Sequence, residues 1–189
     1  MMAAVMQCLN QNWSPTIGDP SVMGWVTVAV YGIAALLCAV AFWRHPAGRL
    51  RLFGYGLALL LVLLMANKQL DLQSALTAGA RCLAQLQGWY EDRRAVQAGF
   101  IVILLLYCLG FGLLIVWTMW RHLGQVWLML LGLIFLLAFI AVRAVGFHHF
   151  DALINAQFSN VRMNWILELG GLAMISANAL WMIRARKRR

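Results

Sequence analysis

The hydrophobic positions of this chain fall into five long runs, separated by short polar breaks. The runs cover about 22–43, 52–71, 95–120, 126–147 and 163–183. Apolar residues follow one another within each run without the strict alternation of a half-buried strand, so the pattern is helical. Each run is long enough for the roughly 20 residues that a helix needs to cross about 30 Å of hydrocarbon. In lipid the backbone must satisfy its own hydrogen bonds, which leaves helices or closed barrels. The pattern therefore predicts an all-α integral membrane protein of five transmembrane helices, one membrane domain over residues 1–189. A different periodicity lies between the second and third runs. Leu72, Leu76, Ala80, Leu83, Leu86 and Tyr90 recur at three- and four-residue spacing, with Gln73, Ser74, Thr77, Arg81, Gln85 and Gln87 between them. This predicts an amphipathic helix, lying in the outer interface or packed on the bundle, with Gly79 and Gly88 counting against it.

Composition agrees with lipid as the solvent. The chain is 63% hydrophobic and 11% charged, where a soluble domain has about a quarter of its residues charged. Its start, MMAAVMQCLNQNW, has neither the basic region nor the apolar core of a signal peptide. Four cysteines, Cys8, Cys38, Cys82 and Cys108, include no CxxC pair. Cys38 and Cys108 lie in apolar runs as small packing residues. Cys8 and Cys82 fall on the same side of the membrane, where pairing is open to them but not required.

The net charge of +9 changes meaning once it is placed. Arg44, Arg49, Arg51, Arg121, Arg184, Arg186, Lys187, Arg188 and Arg189 share one side, with no acid. The positive-inside rule makes that side cytoplasmic, with the N-terminus out and the C-terminus in. Lys68, Arg81, Arg93, Arg94, Arg143 and Arg162 lie on the outer half with all six acids, Asp19, Asp71, Glu91, Asp92, Asp151 and Glu168. Topology and lipid anchoring of the tail account for the excess, and no nucleic-acid partner is expected. The expected location is a bacterial inner membrane, with the outer side facing the periplasm.

Polar side chains cluster where three runs meet the outer side. The second run ends NKQLDLQ, and Asn67 and Asp71 share a helix face. The fourth ends RAVGFHHFD, with Arg143, His148, His149 and Asp151. The fifth begins NVRMNWILELGG, where Asn160, Asn164 and Glu168 form one stripe. Glu168 lies roughly 8 Å inside, at 1.5 Å per residue. An ionisable group in hydrocarbon costs up to about 2.5–3.5 kcal/mol and normally finds a partner within the bundle. One polar pocket, open to the outside, is the economical reading.

Asp71, His148, His149, Asp151 and Glu168 are its catalytic candidates. Asn67, Lys68, Arg93, Arg94, Arg143 and Asn164 are its substrate-binding candidates. His148, Asp151, Asp71 and Glu168 offer one nitrogen and three oxygens to a divalent ion such as zinc, for metal-assisted hydrolysis or transfer. No HExxH accompanies them, and adjacent histidines point about 100° apart on a helix. A metal-free version uses a histidine as general base beside a carboxylate, without a GxSxG nucleophile. A third version needs no reaction: the cations hold an anionic head group and the amides and carboxylates orient it. Haem is not expected, because His45 and His122 lie in loops beside arginines and His148 and His149 are adjacent.

Plainer readings stand beside these. Lys68, Arg143 and Arg162 can snorkel to the interface, Asp71 can pair with Lys68, and the histidines can be wet loop residues. Trp117, Trp120, Trp127, Met129 and Trp181 read as lipid-facing anchors. Gly54 with Gly56, Gly110 with Gly112, and Gly170 with Gly171 mark close helix approach. The expected function is a membrane-embedded enzyme or binding protein acting on a polar or anionic lipid-like head group. The alternative is a non-catalytic accessory subunit docked to a membrane-protein partner in a larger complex.

Overall fold

Ser21 starts the first long helix: its Oγ accepts from the Gly24 N–H at 3.0 Å, an N-cap bond that satisfies one of the four unpaired donors of a helix start. The computed structural model describes residues 2–14, 17–43, 45, 48–70, 72–91, 93–145, 157–158 and 161–187. The helices are α1 (Met2–Asn12), α2 (Val22–Trp43), α3 (Arg49–Leu70), α4 (Leu72–Gln87), α5 (Arg93–Met119), α6 (Leu123–Val145) and α7 (Met163–Lys187). A 3-10 turn, Trp120–His122, joins α5 to α6. The other regular structure among the described residues is one antiparallel pair of two-residue strands, β1 (Gln157–Phe158) and β2 (Val161–Arg162), with Gln157 opposite Arg162.

Four stretches are long and apolar enough to cross a membrane: Val22–Trp43, Arg49–Leu70, Leu105–Ile140 and Trp165–Ala185. The third runs from α5 through the 3-10 turn into α6. The predicted third and fourth runs thus form one apolar stretch, broken at the turn that carries Arg121 and His122.

The core is built by α2, α3, α6 and α7, around Tyr31, Phe42, Leu61, Met129, Leu136, Leu172 and Ile175. Glycines set how closely these helices approach. A Cβ on Gly54 would run into the Phe42 ring, and one on Gly132 would lie 2.7 Å from the Gly171 carbonyl oxygen. Gly171 and Gly54 fit the expected role. An added Cβ on Gly56, Gly110 or Gly112 would meet nothing within 4 Å. Those three do not mark packing within this chain, because their helix faces turn outward. Met129, expected at the lipid, is fully buried, whereas Trp117, Trp120, Trp127 and Trp181 are exposed.

Asn178 ties α7 to α6. Its Nδ2 donates to the Gln125 carbonyl at 2.8 Å, and its Oδ1 accepts from the Met129 N–H at 3.0 Å. Those two backbone groups are i−4 partners in an ordinary helix, so the amide spans a single rung of the α6 ladder. Gln125 and Met129 face residue 178 while Gly132 faces residue 171, so α6 and α7 are antiparallel. The Gly18 N–H donates to the Gln69 carbonyl at 2.9 Å, and Phe42 meets Phe53. Hence α2 and α3 are antiparallel too, and the start of α2 lies at the end of α3.

Helix α4 appears where the amphipathic spacing predicts it, but its most buried positions lie beside the predicted stripe. Cys82 and Ala84 are buried, and Ala75, Ala78 and Gly79 are partly so; of the expected apolar stripe Leu83 and Tyr90 are partly buried and Ala80 and Leu86 are exposed. The reason is its partner. Helix α4 packs on α1, and Cys8 and Cys82 form a disulfide with Cα atoms 6.0 Å apart. Small residues on the facing side permit that approach. Gly88, which counted against the helix, ends it. At φ 77° it lets its own N–H reach the Gln85 carbonyl and the Trp89 N–H reach Ala84, the paired bonds of a Schellman cap. Helix α1 has no counterpart in the sequence reading, because eleven residues of mixed polarity carry no clear period.

Helix α5 stands at the edge of this bundle. Phe100, Ile103, Tyr107, Leu114 and Trp117 are exposed along it, and it touches α6, the 3-10 turn and α3.

Candidate functional site

Three helices bring their polar residues together at one end of the bundle. Glu168 of α7 is buried, with 3% of its surface exposed. Its Oε2 accepts from the Lys68 ammonium of α3 at 2.6 Å, and its Oε1 accepts from the Tyr31 hydroxyl of α2 at 3.0 Å. The Lys68 side chain is 5% exposed, so it does not snorkel. A pair this deep depends on its geometry. Desolvation offsets much of the attraction, and removing one partner strands the other at a cost of about 3–5 kcal/mol. Glu168 has both oxygens engaged and Lys68 is the cation that neutralises it.

Residues 17–21 pass over this pair. Gly18 is bonded to Gln69, the neighbour of Lys68. Asp19 Oδ1 accepts from the Ser21 hydroxyl at 2.6 Å and from its N–H at 3.2 Å. The indole N–H of Trp165 lies 3.5 Å from Asp19 Oδ2. Trp165 is three residues before Glu168, on the same face of α7 and one turn further out. Partial burial acts to raise the Asp19 pKa, but the Ser21 and Trp165 hydrogen bonds and the Lys68 charge outweigh it, and the carboxyl is held below its usual 3.8.

Gln69 is the anomaly of the site. Both polar atoms of its amide are buried, with no hydrogen-bond partner among the described residues. Such a group costs about 1–3 kcal/mol when left unsatisfied, and one in a folded protein calls for a water, an ion or a ligand as explanation.

The expected cluster is thus assembled in part. Glu168 and Lys68 are in contact, and Asn67 lies half-buried in the turn of α3 that carries Lys68. Arg93, Arg94, Arg143 and Asn164 have helical backbones, but their side chains fall outside the described set. Asp71, His148, His149 and Asp151 lie outside the described residues. Among the described residues no three His, Cys, Asp or Glu side chains are grouped to hold a metal ion. Lys68 finds Glu168 across helices as a partner, and the suggested pairing with Asp71 lies outside the described residues.

The sequence reading missed Tyr31 and Asp19 in the site, and Asn178 in the α6–α7 contact away from it. Tyr31 was one more aromatic in an apolar run. Asp19 gave no sign of reaching α7. Asn178 was the legible one: a lone amide in the run LAMISANALW must find a partner in hydrocarbon. No family model, curated protein or solved structure matches the chain.

Proposed function

We propose that the chain is a five-span membrane protein, N-terminus outside and C-terminus inside, whose outer end binds the polar or anionic head group of a lipid-like ligand. The Leu105–Ile140 stretch has 36 residues, about 54 Å of helix at 1.5 Å per residue, against roughly 30 Å of hydrocarbon. A single crossing would leave much of it outside lipid. The Lys68–Glu168 contact puts the end of α3 and the start of α7 on one side, so the chain between them crosses an even number of times. Since α6 is antiparallel to α7, α5 supplies the other crossing. The 3-10 turn with Arg121 then joins Arg49, Arg51 and Arg184 on the side that the positive-inside rule makes cytoplasmic. This topology sets the Cys8–Cys82 disulfide on the other side, in keeping with an oxidising compartment such as a periplasm.

The buried Lys68–Glu168 pair carries the binding reading. It supplies a charge-assisted donor for a phosphate or carboxylate and a carboxylate to hold that donor in place, in the turn where the Gln69 amide has no partner among the described residues. Binding fits this geometry better than metal-assisted hydrolysis, because a divalent ion at Glu168 would have to displace the Lys68 ammonium. Equal, negligible zinc in purified wild type and Glu168→Gln is the expected result, and zinc lost only from the variant would favour the hydrolase. The binding test is titration of the purified protein with a water-soluble short-chain phosphatidylglycerol. Saturable binding is expected, weakened by at least about tenfold, or 1.4 kcal/mol, in Lys68→Met. Equal affinity in both proteins would refute the assignment.

A second reading, an accessory subunit of a larger membrane assembly, draws on the exposed apolar length of α5. Its occupant would be an apolar transmembrane helix of another protein. Photocrosslinking from position 103 or 107 in native membranes would then give a discrete protein adduct, and lipid adducts alone would refute it.

A further inference from the structure

The Lys68 and Glu168 side chains are 5% and 4% exposed, so a head group cannot reach them in this conformation. Among the described residues, the short strap of residues 17–21 lies over the outer side of the pair. It touches α3 at Gln69, next to Lys68, and α7 at Trp165, one turn outside Glu168, so it crosses above the ion pair. Ile17, Gly18 and Pro20 turn outward, while Asp19 and Ser21 are partly buried beneath it.

The attachments of the strap are unequal. At α2 it is held firmly, because Ser21 caps the helix and also binds the Asp19 carboxylate at 2.6 Å. At α3 it has one backbone bond. At α7 the indole of Trp165 meets Asp19 at 3.5 Å, the longest of these contacts and a weak hydrogen bond by distance. Gly24 completes the fit: a Cβ there would run into the Asp19 carbonyl and lie 2.6 Å from its carboxylate carbon. The helix start thus makes room for a strap lying flat against it.

We infer that residues 17–21 form a lid over the Lys68–Glu168 pair, hinged at the N-cap of α2 and latched to α7 by Asp19 and Trp165. Only the identity of what enters beneath it rests on the head-group reading. Two variants act on the lid while keeping Lys68 and Glu168, and the second also leaves unchanged the Asp19 charge that acts on Lys68. Asp19→Asn weakens the latch, and Gly24→Ala wedges the strap away from α2.

Lys68 and Lys187 are the lysines of the chain, which gives a direct readout. A membrane-impermeant sulfonated N-hydroxysuccinimide ester, added to right-side-out sealed vesicles, reports Lys68 by peptide mass spectrometry. In wild type Lys68 reacts slowly, and in both variants its rate rises several-fold. The Cys8–Cys82 disulfide and the helical circular dichroism are retained, which separates lid opening from unfolding. The lid is overturned if Lys68 stays as slow in both variants as in wild type, or if it already reacts in wild type as fast as in unfolded protein. Faster Lys68 labelling in the variants, together with no binding of short-chain phosphatidylglycerol to wild type, would uphold the lid and refute the head-group reading.

Discussion

Glu168 is the residue whose place in the molecule follows most directly from chemistry. A carboxylate one and a half turns inside an apolar run cannot reach water, so it must find a partner. That much is legible in the sequence, but the partner is not. Lys68 and Tyr31 are set by the register of α3 and α2 against α7, which apolar periodicity leaves open. Stability should show the pairing as a pattern. Lys68→Met and Glu168→Gln alone should each cost about 3–5 kcal/mol, since each leaves a buried group stranded, while Lys68→Met with Glu168→Leu should come close to wild type. Thermal unfolding in detergent checks this, and additive losses in the double variant would contradict a coupled pair. Asn178 differs in kind. When it is removed, the Met129 N–H and the Gln125 carbonyl are free to bond each other, so Asn178→Ala should cost only about 0.6–1.7 kcal/mol, as interhelical hydrogen bonds in membranes do. Asp19 carries the pH dependence. Its folded pKa lies below its ordinary value, so its stabilising contribution is complete above pH 3.8 and is lost as pH falls through the lower, folded value. Wild type should therefore melt above Asp19→Asn at neutral pH, and the two curves should converge in acid.

At the scale of elements, the helices were mostly legible and their contact faces were not. Long apolar runs placed α2, α3 and α7 to within a few residues, because length and hydrophobicity alone define a span. Which face of a span meets protein depends on shape. Gly132 was not singled out, yet it packs hardest on α7, whereas Gly110 and Gly112 face open space. Gly132→Ala should therefore destabilise by about 1–3 kcal/mol through overpacking. Gly110→Ala should be neutral or stabilising by up to about 1 kcal/mol through helix propensity. Equal effects would mean that the α6–α7 crossing is not set by this glycine. The α4 face teaches the same lesson. Leucine spacing pointed at one stripe, but a disulfide and a row of small residues decided which stripe met α1. An isolated helix as short as α1 is marginal in water, so Cys8→Ser should free it. Faster proteolysis before residue 13, with the bundle intact, is the expected signature.

The whole molecule joins these scales through its two ends. The basic end follows from the proposed topology, since its charges flank the spans with no acid among them. The opposite end holds an ion pair that topology does not require, under a strap that shields it and beside an amide without a partner among the described residues. A stabilising brace and a binding site make the same pair visible, and one measurement separates them. Lys68→Met with Glu168→Leu should keep the fold, because both charges leave together. Titrating it and the wild type in parallel with short-chain phosphatidylglycerol therefore tests the site with stability held level. The prediction is wild-type melting with binding weakened by at least about tenfold, a loss of 1.4 kcal/mol. Wild-type melting with undiminished binding would contradict it and leave the pair a brace alone.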